Sequence, residues 1–495
     1  MLRAIYEDIQ RGQEIRKNLI ELKKLLKEES NKRAFIYYLA GDYNLFYELL
    51  ENEDAKVRKN MALIMGELGD QSFMQALYKA YQTEDKLFVK ADYLTALSKL
   101  DYRELLEDLK ECLTELTTSS FEETSMKHIN EEIKLLTRMI LDIEGTNTHK
   151  FMGYNELSDL ILLTNRDHQE VTAQQINEGI KKVFNAGVMV RTNNLNEILK
   201  IRTYSELLFR IKSITEVEME PVKAAEVIYK GGLLEFLTKR HKGEIPYYFR
   251  LEIKTKMPLD KKSTFAKKMA FALENVSDRA LINSTSNYEV EIRLVENKEG
   301  KFNVLLKLYT IKDERFDYRK HAVAASIQPV TAALVARLAK DYLKEDGQVL
   351  DPFCGVGTML IERNKLVPAN PMYGIDTFGE AIDKAILNAK RAECQINFIN
   401  RDFFDFTHNY LFDEIFTNMP TRGGRKTEEE MVMLYKQFFN KALKVLKDEA
   451  VIVMYTRDKH LVLEEVLCRN EYKVLQEYVI SKKEDAYLYI IEVKQ

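Results

Sequence analysis

The residues best suited to chemistry lie in "VLDPFCGVGTMLIE" (349–362). There a strand-like apolar run leads into Asp351 and then Gly355 and Gly357, ahead of a helical stretch. Glycine at such a bend lets backbone approach a ligand that a Cβ would hold off. Nineteen residues beyond Gly357, "PMYGIDT" ends in Asp376, a carboxylate able to accept both hydrogens of a ribose diol. "FINRDFF" brings Asp402 and Phe403, an acceptor for an adenine amine beside a ring able to stack on the base. Each group stands at the carboxyl end of a predicted strand, and a fourth strand, "EIFTNMP", ends in a proline loop at Pro420. Open α/β sheets build nucleoside sites where strand ends converge in this way.

The spacing also discriminates between nucleoside cofactors. In a nicotinamide-binding fingerprint the third glycine would fall at Leu360, so the close helix packing that accompanies a bound pyrophosphate is not encoded. Asp351, four residues ahead of the first glycine, would repel phosphate. It suits a cofactor with a cationic end, such as the amino group and sulfonium of S-adenosylmethionine. That cofactor is the expectation, with a nicotinamide dinucleotide and structural coincidence as the alternatives.

These groups need a sheet to hold them. From Gly347 onward the predicted strands are "QVLDPF", "PMYGIDT", "FINRDFF", "EIFTNMP" and "AVIVMYT", separated by helical or longer connections as parallel crossovers require. "YKVLQEYVIS" and "AYLYIIEVK", joined only by "KKED", read as an antiparallel hairpin at the sheet edge. The expected class is a doubly wound, Rossmann-like α/β domain.

The whole chain, at 495 residues, exceeds one core. Residues 1–148 are almost wholly helical in pattern. "KVRKNMALIMGELGD" (56–70) echoes "FVKADYLTALSKLD" (88–101) at an offset of 32 residues, a period that suits stacked helix pairs. The likeness is to HEAT-type repeats, with a generic helical bundle as the alternative. Such a region scaffolds or recruits a protein partner and carries no visible chemistry. Residues 155–317 read as α+β: strand 158–166, helix 171–184, strand 187–192, helix 203–211, strand 247–255, helix 263–275 and a hairpin of strands 288–296 and 301–310.

Composition excludes several classes. The chain is 45% hydrophobic and 31% charged, with no run near the ~20 apolar residues of a membrane span. Its first thirty residues read as an amphipathic helix and not a signal peptide. The four cysteines are scattered and the histidines do not cluster, so neither a metal site nor a disulfide framework is expected, and the cytoplasm is the natural compartment. The net charge of −4 hides a local excess. Between Lys239 and Lys268 ten Lys and Arg face three acids, a local +7 able to attract phosphates or simply to form a solvated face.

"DPFCGVGT", "GIDT", "RDFFDF" and "TNMP" together resemble the class I methyltransferase domains of THUMP-containing RNA methyltransferases, nearest to the tRNA guanosine-N2 group. "YRKHAVAASIQPVTAALVARLA" (318–339) is similar to that family's lead-in, which closes over the cofactor around Ser326. The region before it resembles a ferredoxin-like linker plus THUMP domain, through "FRLEIKTK", "STFAKKMAFALEN" and "YEVEIRLVE". The resemblance covers roughly residues 155–495; the catalytic domain spans 318–495, and the helical front lies outside the family's plan. It implies that Phe353, Gly355, Gly357 and Thr358 contact S-adenosylmethionine along with Asp351, Asp376, Asp402 and Phe403. It also implies that Lys239, Arg240, Lys242, Lys254, Lys256, Lys261 and Lys262 grip the acceptor stem and 3′ end of tRNA, with phosphate contacts that weaken in salt.

The same resemblance gives "NMPT" (418–421) its role. An exocyclic amine conjugated to a purine ring is a poor nucleophile. The Asn418 side-chain oxygen and the Met419 carbonyl, with Pro420 stiffening the turn, would accept both amine hydrogens and stabilise the charge that develops during in-line methyl transfer. The family's stacking aromatic is Thr421 here. Tyr455 or the Arg422 guanidinium could substitute for it. Otherwise the protein is an impaired or non-catalytic RNA-binding factor. A DNA amino-methyltransferase is a further alternative, because the clamp serves any such NH2 group.

Overall fold

The structure, a computed structural model, describes residues 2–119, 121–122, 124–145, 149–214, 216–324, 326–422 and 427–494. The chain divides into two compact units, Met1–Asn147 and Thr148–Gln495.

The first unit is helical throughout its described residues. Helices Ala55–Leu68 and Leu87–Leu97 begin at the offset of the sequence echo and pack against each other. Asp54 caps the first by accepting from the Lys56 N–H, and Gly69 ends it at φ 73°. Their contact is close at Gly66, where a Cβ would fall 2.6 Å from the Ala96 Cα. Met61, Met65, Leu94 and Leu97 fill the core that results.

Among its described residues the second unit contains two large sheets and a two-stranded ladder of Lys150–Phe151 with His241–Lys242. The first has nine strands. Ile180–Phe184, Gly187–Thr192, Ser158–Thr164 and Tyr204–Arg210 lie side by side and antiparallel, and the last pairs with Phe302–Leu308. Val290–Glu296, Tyr247–Lys254 and Leu281–Asn283 follow, and the short Glu216–Val217 pairs with the start of Phe302–Leu308 off this path. Helices Pro221–Lys230 and Leu259–Val276 pack together over the face carrying Phe249, Ile253, Ile292 and Leu294.

Two expected helices are strands here. Of 171–184 only residues 171–173 are helical, as the end of Gln169–Ala173; Gly179 (φ 102°) turns the chain, and Ile180–Phe184 becomes an edge strand. Residues 203–211 form the strand Tyr204–Arg210 between two others. Its run Leu207-Leu208-Phe209 lacks a clean period because apolar groups cover both faces, and pairing on both sides decides the conformation.

The second sheet has seven strands: β1 (Gly347–Asp351), β2 (Ala369–Asp376), β3 (Asn397–Asn400), β4 (Phe412–Asn418), β5 (Leu446–Thr456), β6 (Tyr472–Ser481) and β7 (Ala486–Val493). Their order is β3-β2-β1-β4-β5-β7-β6, with the first five parallel and β7 antiparallel to both neighbours. Five helices accompany it: α1 (Pro329–Ala339), α2 (Thr358–Leu366), α3 (Gly379–Arg391), α4 (Glu428–Val445) and α5 (Lys459–Leu467). Consecutive residues of the central strands feed opposite cores, Val349, Phe416 and Val453 on one face and Leu350, Ile415 and Ile452 on the other. Burial on both faces explains why these strands read as continuous apolar runs. The terminal hairpin forms as expected, with β6 at the edge and β7 inside.

Side-chain contacts dock the nine-stranded sheet on this domain. Arg202 makes a bidentate pair with the buried Glu362 of α2 at 2.7 and 2.8 Å, and the Tyr318 hydroxyl donates to the same carboxylate at 2.6 Å. Asn165 donates to the Ile480 carbonyl at 2.7 Å, and Arg337 to Gln175 at 2.8 Å. Among the described residues no helix is long and apolar enough to cross a membrane.

Beneath the β1–β4 pairing, Arg363 of α2 and Glu414 of β4 form a fully buried bidentate pair at 3.0 and 2.7 Å. Breaking such a pair leaves an uncompensated charge. Glu414→Ala is expected to destabilise the C-terminal domain by about 3–5 kcal/mol, measured by urea unfolding.

Candidate active site

The carboxyl ends of β1, β2 and β4, the turn after β3, and the segment before α1 surround a cavity of about 460 Å³. Ser326, Phe353, Gly355, Thr358, Asp376, Asp402 and Phe403 line it, and so do Asn418, Met419, Pro420 and Thr421. Residues separated by almost a hundred positions are thereby brought to one wall.

The glycine loop divides its work. Gly355 has φ 51° and a Cβ there would meet nothing within 4 Å, so its missing side chain is open space at the cavity wall. Its N–H donates to Asp376 Oδ2 at 2.9 Å, while the Phe378 N–H donates to Oδ1 at 2.8 Å. The Asp376 carboxylate is thus fixed in orientation with a lone pair still free on each oxygen, as a vicinal diol requires. Gly357, by contrast, does not line the cavity. A Cβ on it would lie 2.9 Å from the Phe398 ring, so its role is close packing at the start of α2, and the expected ligand contact is corrected.

Asp351 is likewise corrected. It is fully buried below the loop and does not face the cavity. Its Oδ1 accepts from the Thr417 hydroxyl at 2.7 Å and the Phe353 N–H at 3.1 Å, and its Oδ2 has no hydrogen-bond partner. Burial pushes this carboxyl up to about 7, against the opposing effect of the two donors. The same burial, with the charges of Asp351 and Asp376, pushes the Cys354 thiol well up.

Asp402 lies at the cavity, its Oδ1 accepting from the Phe404 N–H at 2.9 Å in a short 3-10 turn. Phe403 lines the cavity too, but its ring is almost wholly enclosed, about 6.0 Å from Phe353 and Phe438. Phe378 is 50% exposed at the same wall and offers a freer face for a base. Sequence reasoning missed it, although an aromatic two residues past the ribose acid was the available signal. Val323 and Ile327, lining residues of the lead-in segment, were missed as well; nothing but apolarity marks them.

Asn418 ends β4 half-buried, opposite Tyr455 in register. The Met419 N–H donates to the Tyr455 carbonyl at 2.9 Å, which fixes the turn into Pro420. Neither expected substitute for the missing aromatic reaches the cavity. The Tyr455 ring is buried in the sheet core, and Arg422 lies 3.6 Å from Glu428 and from Asp458. Gly423 and Gly424 lie outside the described residues.

The basic run separates into two sets. Arg240 is buried, donating to the Leu157 carbonyl and lying over the Phe236 ring, so it is structural and cannot face phosphate. Lys239 pairs with Glu156 and Lys254 with Glu252. Lys242 is exposed on a short strand against Lys150. Lys256, Lys261, Lys267 and Lys268 are exposed and Lys262 half-buried, and none is in an ion pair among the described residues. Four of these five lie on Leu259–Val276, whose other side carries the buried Phe265, Met269 and Leu273.

Residues 317–485 match the family model of the RMKL-like methyltransferase domain. This segment is a class I methyltransferase domain. Residues 44–119 match HEAT repeats. Among solved structures, TrmN from Thermus thermophilus is similar at 18% identity and a TM-score of 0.53, covering 68% of this chain and 99% of that one. SMU.472, described as a methyltransferase and solved with S-adenosylhomocysteine (SAH), is 15% identical with a TM-score of 0.51, covering 68% and 98%. A predicted N6-adenine-specific DNA methylase from Listeria monocytogenes is 15% identical with a TM-score of 0.50, covering 68% and 96%. At these identities the likeness is one of fold.

The methyltransferase domain's cofactor is S-adenosylmethionine, and the residues present fit it. Gly355 leaves the space, and Asp376 is an oriented double acceptor at the same wall. The orphaned Asp351 Oδ2 places negative potential below a cationic ligand once that carboxyl ionises.

Because its folded-state pKa is raised, Asp351 favours folding fully only below the ordinary carboxyl range, and that contribution is lost as pH rises through about 7. Asp351→Asn, without ligand, is therefore expected to melt above the unaltered protein at pH 8, with the difference shrinking toward pH 5. Calorimetric melts across that range check it, and a pH-independent difference would contradict the burial argument.

Proposed function

We propose that this protein methylates an exocyclic amine of RNA, the N2 of a guanosine in tRNA. The observation that carries this reading is the presence of Asn418, Met419 and Pro420 on the same cavity as Ser326, Gly355, Thr358, Asp376 and Asp402. An amine acceptor and a methyl donor can meet there without rearrangement of the sheet.

When bound, S-adenosylmethionine supplies an electrophilic methyl group. The chain's own part is to hold the amine. The Asn418 Oδ1 and the Met419 carbonyl accept its two hydrogens, favouring pyramidal nitrogen and stabilising the positive charge that builds up on it. The turn is already fixed by the Met419–Tyr455 backbone bond. A neutral amide suffices because the surplus proton can pass to water after transfer.

Residues 155–317 support RNA as the substrate class. Strand, helix, two strands, helix and strand over 158–210, paired in one antiparallel sheet, follow the ferredoxin-like order, which favours the reading as linker plus THUMP-like domain. The unpaired lysines of Leu259–Val276 would grip phosphates near the acceptor stem and 3′ end. A second reading, methylation of an adenine amine in DNA, draws on the same Asn418-Met419-Pro420 geometry. Competition between tRNA and duplex DNA separates the two.

With labelled S-adenosylmethionine and tRNA lacking the modification, Asn418→Ala is expected to lower kcat by about 10²–10³ while SAH affinity holds. The proposal fails if the unaltered protein labels no tRNA. Lys261→Ala and Lys268→Ala should each weaken tRNA binding and reduce the slope of log affinity against log salt by about one per lost phosphate contact. Filter binding over a salt series reads this out.

A further inference from the structure

The cavity poses a charge problem at one end of its cofactor. S-adenosylmethionine carries a carboxylate, whereas the lining side chains include Asp376 and Asp402 and, among the described residues, no Lys, Arg or His. Two cations touch the wall from behind. Lys441 donates to the Phe404 carbonyl at 2.9 Å, with Lys444 and the two acids Asp405 and Asp402 as its charged neighbours. Arg319 has no acidic neighbour among the described residues. Its Nε donates to Thr358 Oγ1 at 2.8 Å, its Nη1 to the His321 carbonyl at 3.0 Å and its Nη2 to the Ile327 carbonyl at 3.4 Å.

All three acceptors are neutral, and two of them, Thr358 and Ile327, belong to residues that line the cavity. Arg202 and Arg363, also in this unit, each face a buried glutamate instead. Half-buried Arg319 therefore keeps an uncompensated charge just behind the wall. By donating to Thr358 Oγ1, it also leaves the Thr358 hydroxyl hydrogen free to donate elsewhere. The lead-in segment is held at the same place: buried Asn388 accepts from the His321 N–H at 3.2 Å and donates to the His321 and Val356 carbonyls at 2.9 and 3.2 Å.

We propose that Arg319 is the positioning residue for the carboxylate end of S-adenosylmethionine, joining the lead-in segment to Thr358 and setting a positive charge behind an otherwise acidic wall. The inference rests on the cofactor assignment and is independent of which nucleic acid is methylated. Arg319 acts through Thr358 and Ile327, and its electrostatic contribution depends on the carboxylate.

The test compares ligands with and without that carboxylate. Calorimetry on the full chain is run with SAH and with 5′-methylthioadenosine, which keeps the adenosine and lacks the amino-acid end. Arg319→Gln is expected to weaken SAH about tenfold or more while 5′-methylthioadenosine changes less than about twofold, and Arg319→Lys should recover most of the SAH affinity. Equal weakening of both ligands, or no change in either, overturns the proposal. Should Arg319→Gln not fold, decarboxylated SAH on the unaltered protein decides: binding as tight as SAH overturns the proposal, and weaker binding supports it. If the unaltered protein binds no adenosyl ligand at all, the cofactor assignment has failed instead.

Discussion

The parallel pairing of β1 with β4 is the contact on which the site depends. Val349 stands beside Glu414 and Leu350 beside Ile415. That register puts Asp351 within reach of Thr417, and therefore sets the loop after β1 beside the turn that begins at Asn418. The helices leaving these two strands cover the sheet on different faces, so the crevice between them stays open. Below it, Arg363 and Glu414 fix the same register through a buried ion pair. A one-residue slip would turn Asp351 and Asn418 to opposite faces and dismantle both halves of the site at once.

Around that pairing the electrostatics are uneven. The wall of the cavity is acidic, with Asp376 and Asp402 at the surface and Asp351 beneath. Among the described residues, the cations Arg319 and Lys441 sit one layer back and reach the wall through neutral oxygens. The nine-stranded sheet contributes to the same region through Arg202, just ahead of Tyr204–Arg210, which pairs with Glu362 one turn along α2 from Thr358, where Tyr318 of the lead-in segment also donates. The start of α2 is thus held by the glycine loop before it, by the lead-in segment, and by the neighbouring sheet. Three supports on one turn make a rigid wall, which suits a site that must orient a donor and an acceptor to within a fraction of an ångström.

Much of the C-terminal domain was legible in the sequence because its parallel strands are buried on both faces and stand out as apolar runs ending in Asp, Gly or Pro. The middle region was harder. "YSELLFR" and "GIKKVF" carry no clean period, and only their partners in the sheet made them strands. The basic run misled for a related reason. Linear charge does not say which cations are spent on neighbours: Arg240 is buried, Lys239 and Lys254 are held in surface ion pairs, and the lysines of Leu259–Val276 are in none among the described residues. The replacement of a stacking aromatic by Thr421 was visible, but that Tyr455 faces the core and Arg422 faces carboxylates was not.

The sequence by itself determined the kind of domain, the glycine loop after β1 and the Asn-Met-Pro turn after β4, because these depend on local backbone demands: glycine where the chain bends sharply, acids at strand ends, proline after Met419. Tertiary structure alone decided which of those groups meet the cavity. Asp351 and Gly357 differ from Asp376 and Gly355 not in residue type but in what lies above them, namely Thr417 and the Phe398 ring. Burial, pairing and exposure are properties of neighbours brought in from distant sequence, and no local pattern encodes them.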